Sequence, residues 1–106
     1  MPKYLFEGKY TVEGAKGFAQ DGGTGRRAAI EKTLASVGGR MEAFYFGFGG
    51  YDVYLIAELP DNISAAAIAL TVGASGKATT NTVVLLTPEE IDAATKKSVT
   101  YRPPGG

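Results

Sequence analysis

Apolar and polar positions alternate from Lys3 to Thr11. Tyr4, Phe6, Gly8 and Tyr10 fall on one side, Lys3, Glu7, Lys9 and Thr11 on the other, with Leu5 out of step. A period of two is that of a strand with one covered face. A helical pattern starts near Val12 or Glu13 and runs to about Gln20, weakened by Gly14 and Gly17, since glycine is a poor helix former. The run Asp21-Gly22-Gly23-Thr24-Gly25-Arg26-Arg27 predicts a break. A stronger helix is expected from about Gly25 to Val37, with Ile30, Leu34 and Val37 on one face and Arg27 and Glu31 paired on the opposite side. Gly38-Gly39 then ends it, because a helix commonly stops at a residue that can turn left-handed.

A hairpin follows. Arg40 to Phe48 and Tyr51 to Leu59 are rich in aromatic and β-branched residues and flank Gly49-Gly50. Paired glycines between such runs predict a two-residue turn with positive φ at both positions. On the first arm alternation puts Met41, Ala43 and Tyr45 on one face and Phe44, Phe46 and Phe48 on the other. On the second it puts Tyr51, Val53, Leu55, Ala57 and Leu59 opposite Tyr54 and Ile56. Both faces are largely apolar, whereas a strand covered once reads apolar-in and polar-out. The hairpin is therefore expected to be covered by its own helices on one side and by another copy of the chain on the other.

Pro60 closes the second arm, and Asp61 is a good N-cap for a helix from about Asn62 to Ala74. That helix has no charged residue, which again suggests cover on more than one side. Lys77 to Leu86 reads as a strand. Val83-Val84-Leu85-Leu86 looks buried on both sides, and Thr79 to Thr82 looks like an edge or the lining of a cavity. Thr87-Pro88-Glu89-Glu90 is the most specific local signal in the chain. Thr87 is the N-cap, Pro88 takes the first helical position, and Glu90 completes a capping box. This short helix is expected to end near Lys97. Ser98 to Gly106, with Pro103 and Pro104, reads as an extended tail beyond a domain of residues 1–97.

The order β-α-β-β-α-β plus a terminal helix is that of an α+β, ferredoxin-like unit: a four-stranded antiparallel sheet with helices on one face. The chain also resembles the GYD domain family, through Glu42-Ala43-Phe44-Tyr45-Phe46, Gly50-Tyr51-Asp52, the Arg26-Arg27 pair, Leu59-Pro60-Asp61-Asn62 and Leu86-Thr87-Pro88-Glu89-Glu90. The similarity runs from about Tyr4 to Lys97. It implies a dimeric α+β barrel, two such sheets face to face, and it carries no settled function. A more distant likeness, through the Gly50-Tyr51-Asp52-Val53 turn and the Glu58-Leu59-Pro60-Asp61 exit, is to the effector-binding domain of leucine-responsive regulators. In those domains small ligands lie between subunits near this turn.

Composition narrows the chemistry. The 106 residues fit one domain, with 11 basic and 11 acidic side chains and a formal net charge of +0. No basic stripe exists to favour nucleic acid. The chain has no cysteine and no histidine, so disulfides, thiolate nucleophiles, thiolate metal sites and imidazole acid–base catalysis are closed to it. No cofactor is expected. No apolar stretch approaches the ~20 residues of a bilayer span, and Glu7 interrupts the first apolar run, so a cytoplasmic protein with no membrane partner is the expectation.

Three groups of residues are candidates for a site. Tyr51 and Asp52 place an acid among aromatics, where it could act as a base; the plainer role is to fix the turn through nearby backbone N–H groups. Arg26 and Arg27 at a helix start could hold an anion, or simply pair with Asp21 or Glu31. Tyr4, Tyr45, Tyr54 and Asn81 could line a cavity for a small, mainly apolar ligand, because their polar ends need partners. Two functions follow. One is a homo-oligomeric small-molecule-binding or scaffold protein. The other is a cofactor-free enzyme of the dimeric-barrel kind, an isomerase or oxygenase, using Asp52 and a tyrosine.

Overall fold

The computed structural model describes residues 1–106. The elements in order are β1 (Lys3–Tyr10), α1 (Val12–Ser36), β2 (Arg40–Phe46), β3 (Val53–Glu58), α2 (Asn62–Ala74), β4 (Ala78–Leu85) and α3 (Pro88–Thr95). The strands form one sheet in the order β2-β3-β1-β4, antiparallel at every pairing. This is the ferredoxin-like arrangement, with α1 and α2 on one face.

The glycine-rich run interrupts the helix at a single residue. Gly22, at φ 71° and ψ 174°, leaves helical geometry, and the chain is helical again on both sides of it. The expected break over Asp21 to Arg27 is thus a kink, which only a residue without Cβ adopts cheaply. Leu34 is buried on the inner side of α1, while Arg27 and Glu31 are exposed and form no ion pair. The helix ends in a Schellman motif. Gly38 at φ 79° donates to the Ala35 carbonyl, and Gly39 donates to the Leu34 carbonyl.

The hairpin differs from the expected one in two ways. Neither Gly49 nor Gly50 takes a positive φ. Pairing stops at Phe46 and Val53 and leaves a loop from Gly47 to Asp52, closed by Gly47 N–H donating to the Asp52 carbonyl. The loop opens because Asp52 is held elsewhere: its N–H donates to Gly8 O, and its carboxylate accepts from Tyr10 N–H, so it is drawn onto β1. The second difference is a register shift between Met41 and Ala43. A bulged residue reverses the facing of everything before it. Met41 therefore joins Phe44 and Phe46 on the helix side, not Ala43 and Tyr45.

Registers across the sheet define its two faces. On the helix side the cross-strand rows are Met41-Ala57-Tyr4-Val84, Phe44-Leu55-Phe6-Thr82 and Phe46-Val53-Gly8-Thr80. Tyr4, Phe6, Val53, Leu55 and Ala57 from these rows join Leu34, Leu59, Ala65 and Ile68 in the core. On the other side no helix packs across the sheet; only the start of α3 borders it, where Glu90 lines a hollow with Ile56 and Leu85. Val83 to Leu86 is less buried than expected, with Val84 51% exposed, because β4 is an edge strand whose far end the helices do not cover.

The capping box of α3 forms as expected: Glu90 N–H donates to Thr87 Oγ1, and Thr87 N–H donates to Glu90 Oε1. Yet every residue of α3 and of the chain after it is exposed. Their extension gives a radius of gyration of 16.8 Å, against about 13 Å for a compact chain of this size.

Candidate functional site

Between the sheet and α1 and α2 lies a cavity of about 120 Å³. Its floor is Phe6, Gly8, Val53 and Leu55; Ile30 and Leu34 of α1 and Ile68 and Val72 of α2 form its roof. The lining is mostly apolar, with Thr33 and Thr80 among it, and a cavity near this size admits a benzene-sized group.

Two polar groups stand at its mouth. Arg26 comes from the first turns after the Gly22 kink, and Tyr10 is the last inward-facing residue of β1. The Arg26 side chain is 30% exposed and donates from Nη1 to Asp21 Oδ2 at 3.3 Å. Its Nε is buried and has no partner, and neither does the buried Tyr10 hydroxyl. Burial pulls the guanidinium towards losing its proton, but the nearby Tyr10 hydroxyl and Asp21 outweigh it and hold the charge more firmly than usual. Buried donors left without acceptors cost about 1–3 kcal/mol each. The cavity and its two unsatisfied groups thus form one costly feature at one place.

The Tyr10 ring is fixed by its neighbours. It stacks on Phe18 at 5.2 Å, Phe18 stacks on Phe46 at 4.8 Å, and Phe44 meets Phe46 edge-on at 5.0 Å. Its backbone is pinned by the 2.9 Å bond to Asp52. An open cleft between α1 and α2 leads to the mouth. Gly14, Gly17, Phe18 and Thr71 line it, and it shares Tyr10, Arg26, Thr33, Val72 and Ala78 with the cavity.

Of the residues singled out in the sequence, Tyr45, Tyr54 and Asn81 come together in one row on the uncovered face, Tyr45-Tyr54-Glu7-Asn81. Asn81 donates to Glu7 at 2.9 Å, and Tyr51 meets the Tyr54 ring edge-on at 6.3 Å. Tyr4 is on the opposite face, 1% exposed, its hydroxyl donating to Asn62 Oδ1 at 2.6 Å. Asp52 lies beside the end of β1, where its carboxylate accepts from Tyr10 N–H of that strand rather than from the turn's own backbone. Arg26 is at the cavity, while Arg27 lines a shallow groove with Gly23, Thr24 and Phe44 to Phe46. Tyr10 was missed. Its inward face was legible in the alternation of β1, but its nearness to Arg26 depends on how the kinked helix lies across the sheet.

A four-stranded antiparallel sheet with two helices packed on one side defines a ferredoxin-like α+β protein. Residues 4–95 match the GYD domain, and the chain belongs to that family, whose function is uncharacterised. No curated protein matches the chain. No helix is long and apolar enough to cross a membrane.

Proposed function

We propose that this protein is a homo-oligomer that binds a small molecule, and that two copies pair sheet against sheet. The observation that carries the reading is the uncovered sheet face. Its central row, Ala43-Ile56-Leu5-Val83, is apolar across all four strands, flanked by the Tyr45-Tyr54 row on one side and Leu85 on the other. Tyr45 is 71% exposed. Charged pairs, Lys3 with Glu42 and Arg40 with Glu58, border the face at one end. An apolar centre with a polar rim is the anatomy of a protein interface.

Area argues that the sheet is not the whole contact. Four strands of this length present on the order of 400 Å² in plan, and a stable pair buries about 800 Å² per partner. The exposed α3 and the tail beyond it, with Ile91, Val99 and Tyr101 in water, offer the remainder. Asp52 is engaged through Oδ2 by Tyr10 N–H, tying the loop to β1, and the binding reading requires no base of it.

Light scattering coupled to size exclusion tests this. The wild-type chain is expected to run as a dimer or larger at micromolar concentration, and Ile56→Glu to run as a monomer with its circular dichroism intact. A wild-type monomer at that concentration refutes the oligomer.

A further inference from the structure

We propose that the cavity beneath α1 and α2 binds a small monocarboxylic acid with a compact branched or phenyl-sized tail, its carboxylate held by Arg26 Nε and the Tyr10 hydroxyl. The proposal rests on the small-molecule reading above and names its ligand. The tail is set by volume. About 120 Å³ among Phe6, Leu34, Ile68 and Val72 takes roughly a benzene-sized group and no long chain.

The head is set by the two groups at the mouth. Both can donate and both are buried; neither meets a partner in hydrogen-bond geometry, although the Tyr10 oxygen lies near enough to the guanidinium to favour its charge. A carboxylate offers one oxygen to each, and charge-assisted bonds of this kind are the strong ones. Asp21 holds the guanidinium by Nη1 and leaves Nε free. Charge balance favours a monoanion. The ionisable groups lining the mouth and cleft are Arg26 and Asp21, which are paired, Lys77 and Glu13, which are paired at 2.9 Å, and the Tyr10 phenol. The surroundings are therefore neutral in sum, so every charge a ligand brings must share the Arg26 guanidinium with Asp21, and a dianion such as phosphate incurs that cost twice where a carboxylate incurs it once. The cleft between the helices supplies the route, carboxylate outermost and tail first.

Amide NMR titration of the whole chain tests the assignment, with isovalerate and benzoate as probes and isovaleramide, octanoate and inorganic phosphate as comparators. Isovalerate and benzoate are expected to saturate shifts at Tyr10, Arg26, Ile68 and Val72. The neutral amide should bind about tenfold more weakly or worse, one charge-assisted bond's worth, and octanoate and phosphate should leave these signals unmoved. Arg26→Gln and Tyr10→Phe should each weaken the acids by a similar factor, and Ile68→Phe should abolish binding by filling the cavity. The ligand series on wild type needs no variant, so a misfolded mutant does not decide the outcome. Equal affinity for isovalerate and isovaleramide overturns the carboxylate assignment and leaves small-molecule binding standing. Shifts confined to the uncovered sheet face, or binding untouched by Ile68→Phe in a folded chain, overturn this site. No binding by either acid overturns it outright, while light scattering judges the oligomer independently.

Discussion

Gly14 is the point at which α1 touches the start of β4. A Cβ built there would lie 1.8 Å from the Lys77 carbonyl oxygen, 2.8 Å from its carbon and 3.2 Å from Tyr10 Cδ1. Ordinary contact needs about 3.5 Å, so Gly14→Ala must push the strand and the helix apart by more than an ångström. The same carbonyl accepts from Thr11 N–H at 2.9 Å and from Thr11 Oγ1 at 3.1 Å. Both bonds break when it moves, at a cost of about 1 kcal/mol each. Forced overpacking adds about 1–3 kcal/mol, and the better helix propensity of alanine returns about 1 kcal/mol. The net loss is about 2–4 kcal/mol, or a fall in Tm on the order of 10–25 °C for a domain this small. Gly17, one turn on, is the control, because nothing lies within 4 Å of its Cβ position. Gly17→Ala should therefore raise stability by up to about 1 kcal/mol. Urea unfolding of both variants at one protein concentration measures the difference. If Gly14→Ala were as stable as wild type, the close approach of α1 to Lys77 would be wrong, and the shape of the cleft with it.

Two further outcomes follow from side-chain roles. Asp52→Asn keeps an acceptor for Tyr10 N–H and should cost under about 1 kcal/mol, whereas Asp52→Ala removes a charge-assisted bond and should cost about 1–3 kcal/mol; equal urea midpoints for the two would count against its role in tying the loop to β1. Acid should weaken the fold through three carboxylates. A hydrogen bond from Lys77 holds Glu13 below its ordinary 4.5, one from Arg40 holds Glu58 below 4.5, and the Ser64 N–H and hydroxyl hold Asp61 below 3.8. Lowered folded values mean that this stabilisation is complete above the ordinary ones and is lost as pH falls through the folded ones. Tyr4 works in the opposite sense. Burial, helped by the charge of Asp61, raises its phenol above 10.0, so stability should also fall as pH climbs past that value. A urea midpoint level through both limbs would refute this assignment, and added salt should flatten the acid limb first, since its ion pairs lie at the surface.

The local chemistry of this chain was legible before any coordinates. Alternation in Lys3 to Tyr10, the Asp61 and Thr87 caps and the Gly38 stop are each decided within a few residues, by side chains that meet their own backbone or by a backbone that must turn. The element order then leaves few topologies, and the ferredoxin-like sheet is among them. What escaped the sequence depends on contacts between distant segments. Asp52 opens the hairpin loop only because β1 lies within reach of it. The bulge after Met41 changes which face that side chain joins, and a period of two carries no sign of a skipped residue. The meeting of Tyr10 with Arg26 required a helix kinked at Gly22 and laid across the sheet at one angle. Pattern assigns a residue to a face; which residue of another element it meets there is settled by packing alone.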